Sequence, residues 1–172
     1  MLALELARME HIQDYSYIID QAKAFQRAQG FVQWTDEYPN METIRGDIQR
    51  QKGYSLCSDG AIAGYLCIDF DGEPAYQDIQ GKWGADEPYA VVHRMAFHQD
   101  FTGRGMADAA FRLVEALCRE RGVFYLRIDT DFPNQRMQHI LQKNGFVRRG
   151  TIVFQGGDKL AFEKLLQREG TE

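Results

Sequence analysis

The sequence is poor in cysteine and proline, and neither residue forms a pattern. Only three of the 172 residues are cysteine and four are proline. Cys57, Cys67 and Cys118 are an odd number without CxxC spacing, which argues against a disulfide framework and a zinc site. The prolines are scattered between elements, and no repeat or low-complexity tract divides the chain. We therefore expect one continuous domain spanning residues 1–172.

Long apolar runs and an excess of positive charge are also missing. The longest apolar stretches, such as 61–68, are far shorter than the roughly 20 residues that a membrane-spanning helix needs. Twenty Lys and Arg against 25 Asp and Glu give a net charge of -5, which offers no general field for holding nucleic acid. The first residues lack a signal-peptide pattern. These absences predict a cytoplasmic protein with neither a membrane nor a nucleic-acid partner.

What the chain does contain is a succession of strand and helix patterns. Helical spacing runs over 12–29, 40–52, 105–121 and 134–143, and strand patterns occupy 2–7, 54–57, 61–70, 89–98, 123–130, 146–154 and 160–165. The strand, turn, helix and strand over 89–130 predict a βαβ unit with parallel strands. We expect an α/β fold in which helices cover both faces of a mixed sheet. Residues 71–88 show no period and are predicted to be an irregular surface insertion.

Two glycines stand where the strand at 89–98 gives way to a helix. Gly103 and Gly105 permit a tight turn and a close backbone approach to a ligand, while the helix N-terminus presents unpaired N–H groups. With Arg104 and the helix dipole, this turn predicts a pyrophosphate site. A dinucleotide fingerprint would need glycine in place of Asp108, and no P-loop Gly-Lys-Ser/Thr is present. The alternative is that the glycines only shape the connection.

The segment 102–107, Thr-Gly-Arg-Gly-Met-Ala, matches an acetyl-CoA motif written Q/R-x-x-G-x-G/A at both small-residue positions. The strand 95–98 before it, Asn134 after it, and Lys-Asn-Gly-Phe at 143–146 extend the match over about the C-terminal half. In this combination the chain resembles the GCN5-related N-acetyltransferase (GNAT) superfamily.

The resemblance implies a sheet splayed between its two parallel strands, where the pantetheine arm of acetyl-CoA pairs with strand backbone. It gives Phe97 a main-chain role near the thioester, sets the pyrophosphate against the amides of 103–107, and has Asn134 contact the cofactor. Preorganised N–H donors stabilise a developing oxyanion. The cofactor-binding residues implied are Met95, Ala96, Phe97, Thr102, Gly103, Arg104, Gly105, Met106, Ala107 and Asn134.

Two positions depart from the family pattern. Thr102 replaces the usual Gln or Arg, so one phosphate contact is lost unless the hydroxyl or Arg104 compensates. Leu141 stands where the family often has a Tyr that protonates the departing thiolate. Since the pKa of a thiol is about 8 to 9, that thiolate can leave near neutral pH without strict protonation. The general acid is therefore elsewhere or unnecessary.

His93 and Glu73 are the candidate general bases. His93 interrupts an apolar strand, and strand alternation places it on the same face as Met95 and Phe97. Glu73 follows the strand at 61–70 and reaches the acceptor side if the insertion folds over the cleft. The alternatives are a hydrogen-bonded structural histidine and an exposed loop carboxylate.

Acidic and aromatic residues predict where an amine substrate binds. Six acidic residues and the single cation Lys82 lie within 69–87, and this rim would attract a protonated amine. Aromatic faces favour cations, and the predicted substrate-binding residues are Trp34, Tyr38, Tyr76 and Trp83. The alternative is a solvated acidic loop with ordinary core aromatics.

The sequence thus predicts an acetyl-CoA-dependent N-acetyltransferase in which a primary amine attacks the thioester directly, in a ternary complex and without a metal. A shuttle through Cys118 is not expected, because no histidine partner is evident. A non-catalytic acyl-CoA-binding sensor or partner-binding module, and a nucleotide-binding protein, stay open as alternatives. The acceptor, a small molecule or a peptide amine, is not specified. The hairpin at 146–165 offers an edge for a homodimer.

Overall fold

The computed structural model describes residues 1–168, which contain four α-helices and eight β-strands. The helices are α1 (Ile12–Ala28), α2 (Met41–Gln49), α3 (Met106–Glu120) and α4 (Gln135–Lys143). The strands are β1 (Leu2–Leu6), β2 (Gly53–Ser58), β3 (Ala61–Asp69), β4 (Gln80–Gly81), β5 (Ala90–Phe97), β6 (Tyr125–Asp131), β7 (Val147–Phe154) and β8 (Gly157–Leu165). They form a mixed sheet in the order β1-β2-β3-β5-β6-β8-β7-β4. The predicted α/β fold with a mixed sheet flanked by helices is confirmed.

The chain folds as two compact units, of which the first comprises residues 1–68 and 93–113. Its strands β1, β2 and β3 are consecutive and antiparallel. The helices α1 and α2 each turn an apolar row inward because their apolar residues recur every three or four positions. The core of this unit contains Ile12, Tyr15, Ile18, Ile19, Ile44, Tyr65 and Ala96.

Among the described residues, the second unit comprises 69–92 and 114–168. In it β8 lies between β6 and β7 and is antiparallel to both. The start of β5 pairs in parallel with β6, with Ala90 opposite Leu126 and Val91 opposite Arg127, and β5 then continues to Phe97. The parallel strands predicted from the βαβ pattern are therefore confirmed.

The segment 71–88 is more ordered than its sequence predicts. Pro74–Asp78 forms a 3-10 helix, and β4 then pairs with β7 at Thr151 and Gly150. Tyr76 is fully buried in a cluster with Val91. The prediction of an irregular surface insertion holds for residues 82–88, but it misses the 3-10 helix, the strand β4 and the buried Tyr76. Over residues 1–168, none of the helices is long and apolar enough to cross a membrane.

Candidate active site

The turn between β5 and α3 has backbone angles that glycine adopts most readily. Gly103 has a φ of +80° and Gly105 a φ of +69°, both in the left-handed region. A Cβ atom at either position would meet nothing within 4 Å. The glycines are therefore needed for the backbone conformation rather than for internal space, and the open side of the turn leaves room for a ligand against the main chain.

The first turn of α3 presents amide groups at this place. Ala109 donates a backbone hydrogen bond to Gly105 O at 3.1 Å. At a helix start, the first amides have no carbonyl of a preceding helical turn to bond. Amide donors and the positive end of the helix dipole together favour an anion. This geometry fits the diphosphate that the sequence predicts here.

Two side chains of the turn take different roles. Thr102 Oγ1 lies 3.2 Å from the carbonyl oxygens of both His98 and Gln99 and donates to them. Its hydroxyl hydrogen is thus engaged inside the turn instead of replacing the phosphate contact of a Gln or Arg. Arg104 is exposed, and its guanidinium lies 6.0 Å from the centre of the Phe101 ring. Arg104 is the side-chain cation that the turn offers to an anion.

The strand β5 is interrupted in its middle by Arg94, whose φ is +55°. A residue in the left-handed region breaks the two-residue period of a strand. The alternation that placed His93 on one face with Met95 and Phe97 therefore does not hold through this point. His93 and Met95 are buried, and Phe97 is half-buried. The role of His93 as a base stays a prediction, and strand alternation no longer supports it.

The Arg94 guanidinium is held by a set of polar side chains from three other segments. Its Nε and Nη2 donate to Asp47 Oδ2 and Oδ1 at 2.9 and 2.6 Å, and Nη1 donates to Tyr38 Oη at 2.7 Å. Tyr65 Oη donates to Asp47 Oδ2 at 2.6 Å. Burial, followed by the charge of Asp47, raises the pKa of Tyr65, which keeps its hydroxyl a donor. We call Tyr38, Asp47, Tyr65 and Arg94 the Arg94 cluster.

Sequence reasoning missed the Arg94 cluster, although two signals were present. Asp47 follows Ile44 by three positions and precedes Ile48 by one, so it lies on the apolar face of α2. Arg94 interrupts the apolar run of β5. A charge on a face that is predicted to be buried needs an opposite charge beside it. The two signals together would have paired Asp47 with Arg94.

The other candidate base, Glu73, lies in the second unit and caps the 3-10 helix that begins at Pro74. Glu73 Oε1 accepts a hydrogen bond from the Ala75 amide at 3.3 Å, and the Glu73 amide donates to Tyr89 Oη at 3.2 Å. The residue is half-buried rather than fully exposed. One carboxylate oxygen is thus already engaged, and a role as base stays a prediction.

The aromatic residues predicted to line the substrate site in the second unit are tied into its structure. Tyr76 Oη donates to Asp129 Oδ1 at 2.5 Å, and Trp83 Nε1 donates to the Tyr76 carbonyl at 2.8 Å. The Arg127 guanidinium lies 4.2 Å from the centre of the Trp83 ring. Tyr76 has no exposed surface and Trp83 is half-buried, so Trp83 alone of these two presents surface to a substrate.

Trp34 and Tyr38 both lie in the segment that connects α1 to α2. Trp34 packs against the core of the first unit, and its amide donates to Gln26 Oε1 at 3.0 Å. Tyr38 is half-buried and accepts the hydrogen bond from Arg94. Of these two predicted substrate-binding residues, Tyr38 is therefore the one in direct contact with β5.

Asn134 and Leu141 begin and stabilise α4. Asn134 is the residue that caps the helix, and its Oδ1 accepts from the Met137 amide at 3.1 Å. Leu141 is fully buried. Capping thus fixes the position of Asn134, and its cofactor contact stays a prediction, while the position without the family Tyr belongs to the core.

Cys118 is fully buried on α3. Burial, with a smaller effect of the Glu115 charge, raises the pKa of the Cys118 thiol to about 12. The thiolate is the reactive form of cysteine. The thiol is protonated near neutral pH, which supports the expectation that no acetyl group passes through this residue.

Comparison with known proteins bears on the family and the fold of this chain. A family model described as the acetyltransferase (GNAT) family matches residues 16–146. A GNAT-family acetyltransferase from Streptococcus agalactiae 2603 is 31% identical with a TM-score of 0.87, covering 97% of this chain and 96% of that chain. An acetyltransferase from Staphylococcus aureus Mu50 is 24% identical, with a TM-score of 0.71 and coverages of 95% and 99%.

An aminoglycoside acetyltransferase, solved in complex with coenzyme A, shares the fold at 17% identity. Its TM-score is 0.68, and the match covers 96% of this chain and 94% of that one. Among curated proteins, none matches this chain.

Proposed function

Because this chain belongs to the GNAT family of acetyltransferases, its activity is acetyl-CoA-dependent N-acetyl transfer, and we propose that a primary amine attacks the thioester directly. The observation that carries the proposed site is the left-handed glycine turn at Gly103 and Gly105, open on its outer side and followed by the N-terminus of α3. We assign the diphosphate of acetyl-CoA to the amides of 103–107, assisted by Arg104.

Acetyl-CoA supplies a thioester in which the C–S bond breaks as the new C–N bond forms. The protein contributes positioning and hydrogen-bond donors, since amides fixed before the reaction stabilise the developing oxyanion. We assign the backbone of 95–97 to the pantetheine and acetyl groups, and a separate cofactor contact to Asn134. His93 or Glu73 takes a proton from the substrate ammonium, and the resulting neutral amine attacks the thioester.

The acceptor of a GNAT enzyme is a small-molecule or protein amine, and we propose a cationic amine for this chain. Asp78 and Asp86 are exposed in the acidic segment 69–87, while Glu87 pairs with Arg168 at 3.4 Å. Exposed carboxylates attract a protonated amine. Of the four predicted aromatic residues, Trp34, Tyr38 and Trp83 keep some exposed surface, and we assign them to this substrate.

We also propose that the protein works in the cytoplasm as a homodimer. None of its three cysteines forms a disulfide within residues 1–168, as expected in a reducing compartment. Strand β4 pairs with β7 at Gly150 and Thr151, and we propose that a second copy pairs with the remaining edge of the hairpin at 146–165. A monomer in light scattering at micromolar concentration would refute the dimer.

The experiment combines ligand binding with turnover. Thermal unfolding with CoA, ATP and NAD compares the three cofactors, because a ligand that binds only the folded state raises its stability. Thiol release from acetyl-CoA is then followed across a panel of amines. Stabilisation by CoA together with amine-dependent thiol release supports the proposal.

The remaining outcomes contradict it in different ways. Binding of CoA without acceleration by any amine favours a non-catalytic acyl-CoA-binding module. Preference for ATP or NAD favours a nucleotide-binding protein. If CoA gives neither a binding heat in calorimetry nor thermal stabilisation, the proposed cofactor site is wrong.

A further inference from the structure

Arg94 is unlike the other non-glycine residues that have a positive φ. Gln51 follows the end of α2, while Asp59 and Gln155 lie in the tight turns of the two hairpins. Arg94 lies inside a strand, where a φ of +55° is not the consequence of a turn. Such a conformation persists only where the surrounding structure over-determines it.

The Arg94 cluster supplies that restraint. Asp47 is 1% exposed and accepts two hydrogen bonds from the guanidinium, while Tyr65 fixes the same carboxylate. A planar guanidinium bound by two parallel hydrogen bonds has a defined orientation. The side chain of Arg94 is therefore anchored to α2, and the backbone of β5 has to turn to reach that anchor.

A second observation, independent of the Arg94 cluster, concerns the strand directly after the turned residue. A Cβ atom at Gly64 of β3 would lie 2.7 Å from Ala96 O and 3.1 Å from Phe97 Cδ1. The His98 amide donates to Ala63 O at 2.8 Å, which keeps this part of the chain against β3. Glycine is needed at position 64 for space, because any side chain would push against the Ala96 carbonyl oxygen and the side chains of Leu56 and Phe97.

The turned residue Arg94 directly precedes the segment 95–97, and Gly64 lies against Ala96 and Phe97 of that segment. We propose that Arg94, Asp47 and Gly64 are positioning residues for acetyl transfer: the ion pair turns β5, and Gly64 admits the turned strand, so that the backbone of 95–97 is fixed for the cofactor. The inference rests on the proposed function, because it concerns the backbone assigned to acetyl-CoA. Neither the Arg94 side chain nor the Asp47 side chain needs to touch the cofactor.

The test changes the preferred φ angle at position 94 in two variants that both lack the charges of Arg94 and Asp47. Arg94→Gly combined with Asp47→Asn, and Arg94→Ala combined with Asp47→Asn, both remove the ion pair and leave an amide for Tyr65. They differ only in the Cβ atom at position 94, and glycine adopts a positive φ readily whereas alanine does not. We expect CoA, measured by calorimetry, to bind the Gly variant about tenfold more tightly than the Ala variant.

Gln155 provides the matched control. It has a φ of +52° and lies exposed in the turn between β7 and β8. Gln155→Gly and Gln155→Ala differ in backbone strain in the same way, but CoA should bind both as it binds the wild type. Equal CoA affinity of the two position-94 variants, whether both are weakened or both unchanged, would overturn the proposal.

Gly64→Ala tests the second feature through the same readout. A side chain at this position has to displace Ala96 O, so CoA affinity should fall by about tenfold while the protein stays folded. A folded Gly64→Ala protein with wild-type affinity would remove Gly64 from the set.

Hydrogen exchange in the free protein distinguishes failure of this inference from failure of the proposed function. The amides of 95–97 should exchange faster in the Ala variant at position 94 than in the Gly variant, with no cofactor present. If the wild type binds no CoA, the proposed function fails and the exchange rates still decide the positioning role. Equal exchange rates in the two variants would overturn that role.

Discussion

At the scale of single residues, the turn before α3 depends on backbone angles. Alanine at Gly103 or Gly105 would have to adopt a φ of +80° or +69°. This conformation costs a non-glycine residue about 1 kcal/mol, and relaxing it moves the amides that we assign to the diphosphate. We expect Gly103→Ala and Gly105→Ala each to weaken CoA binding by about five- to tenfold in calorimetry.

Gly122 is the control for this prediction. It follows α3 with a φ of +71°, and a Cβ atom there also meets nothing within 4 Å. Because alanine would have to adopt the same left-handed conformation, Gly122→Ala should lower the free energy of unfolding by about 1 kcal/mol. It should leave CoA binding unchanged. Wild-type CoA affinity in Gly103→Ala would contradict the assignment of the turn.

The pH profile of turnover decides between the candidate bases. A base acts in its deprotonated form, so the rate rises with pH through the pKa of that group. Removal of the true base, by His93→Gln or Glu73→Gln, should lower kcat/KM by about 100-fold or more and abolish that rise. Thiol release with an amine from the panel measures it.

The exposed histidine of α4 serves as the control for these variants. His139→Gln should retain both the rate and the pH profile, since His139 lies on a solvated helix face. Unchanged profiles in both His93→Gln and Glu73→Gln would discard the two assignments.

Single-residue signals made part of the site predictable. The glycine turn is encoded locally, because Gly103 and Gly105 fall between a strand pattern and a helix pattern. The left-handed angle of Arg94 is not encoded locally, because it depends on Asp47, which lies 47 positions away. Alternation alone therefore gave a misleading picture of β5.

At the scale of elements, α2 depends on the capping box that begins it. Asn40 Oδ1 accepts from the Thr43 amide at 3.0 Å, and Thr43 Oγ1 accepts from the Asn40 amide at 3.2 Å. Asn40→Ala should lower the free energy of unfolding by about 1 kcal/mol in urea denaturation. Thr43→Ser keeps the hydroxyl and should cost less. Equal losses in the two variants would contradict the reciprocal cap.

The elements differ in how far their sequence determines them. Helix α2 was predictable because its cap, its apolar row and its terminating residues are all close together in the chain. The segment 71–88 was not, because long-range bonds order it: Tyr76 bonds Asp129 across 53 positions, and Gly84 bonds Glu163 across 79. A local hydrophobic period in the sequence does not reveal hydrogen bonds to residues so far along the chain.

At the scale of the whole molecule, Glu163 couples stability to pH. It is 2% exposed and accepts hydrogen bonds from Tyr125 Oη, the Gly84 amide and Arg149 Nε. Burial by itself raises the pKa of Glu163, but these hydrogen bonds outweigh it, and the net shift is downward from the ordinary value of 4.5. Its contribution to stability is therefore present above pH 4.5 and is lost as the pH falls through the lower, folded-state pKa.

We expect Glu163→Gln to lower the free energy of unfolding at pH 7 and to flatten its decrease as the pH falls below 4.5. Urea denaturation at a series of pH values measures both effects. Glu10 is an exposed acid that pairs with Arg8 at 3.0 Å, and Glu10→Gln should leave the acid dependence nearly unchanged. An unaltered acid slope in Glu163→Gln would show that the carboxylate is not a source of the pH dependence.

The chain has two tryptophans, and each compact unit contains one: Trp34 lies in the first and Trp83 in the second. In Trp83→Phe the remaining indole emission reports on the first unit alone, and in Trp34→Phe it reports on the second. If residues 1–172 form one cooperative domain, both emission curves shift at the same urea concentration as the circular dichroism of the same variant. A variant whose emission and dichroism separate would have one unit that melts before the other.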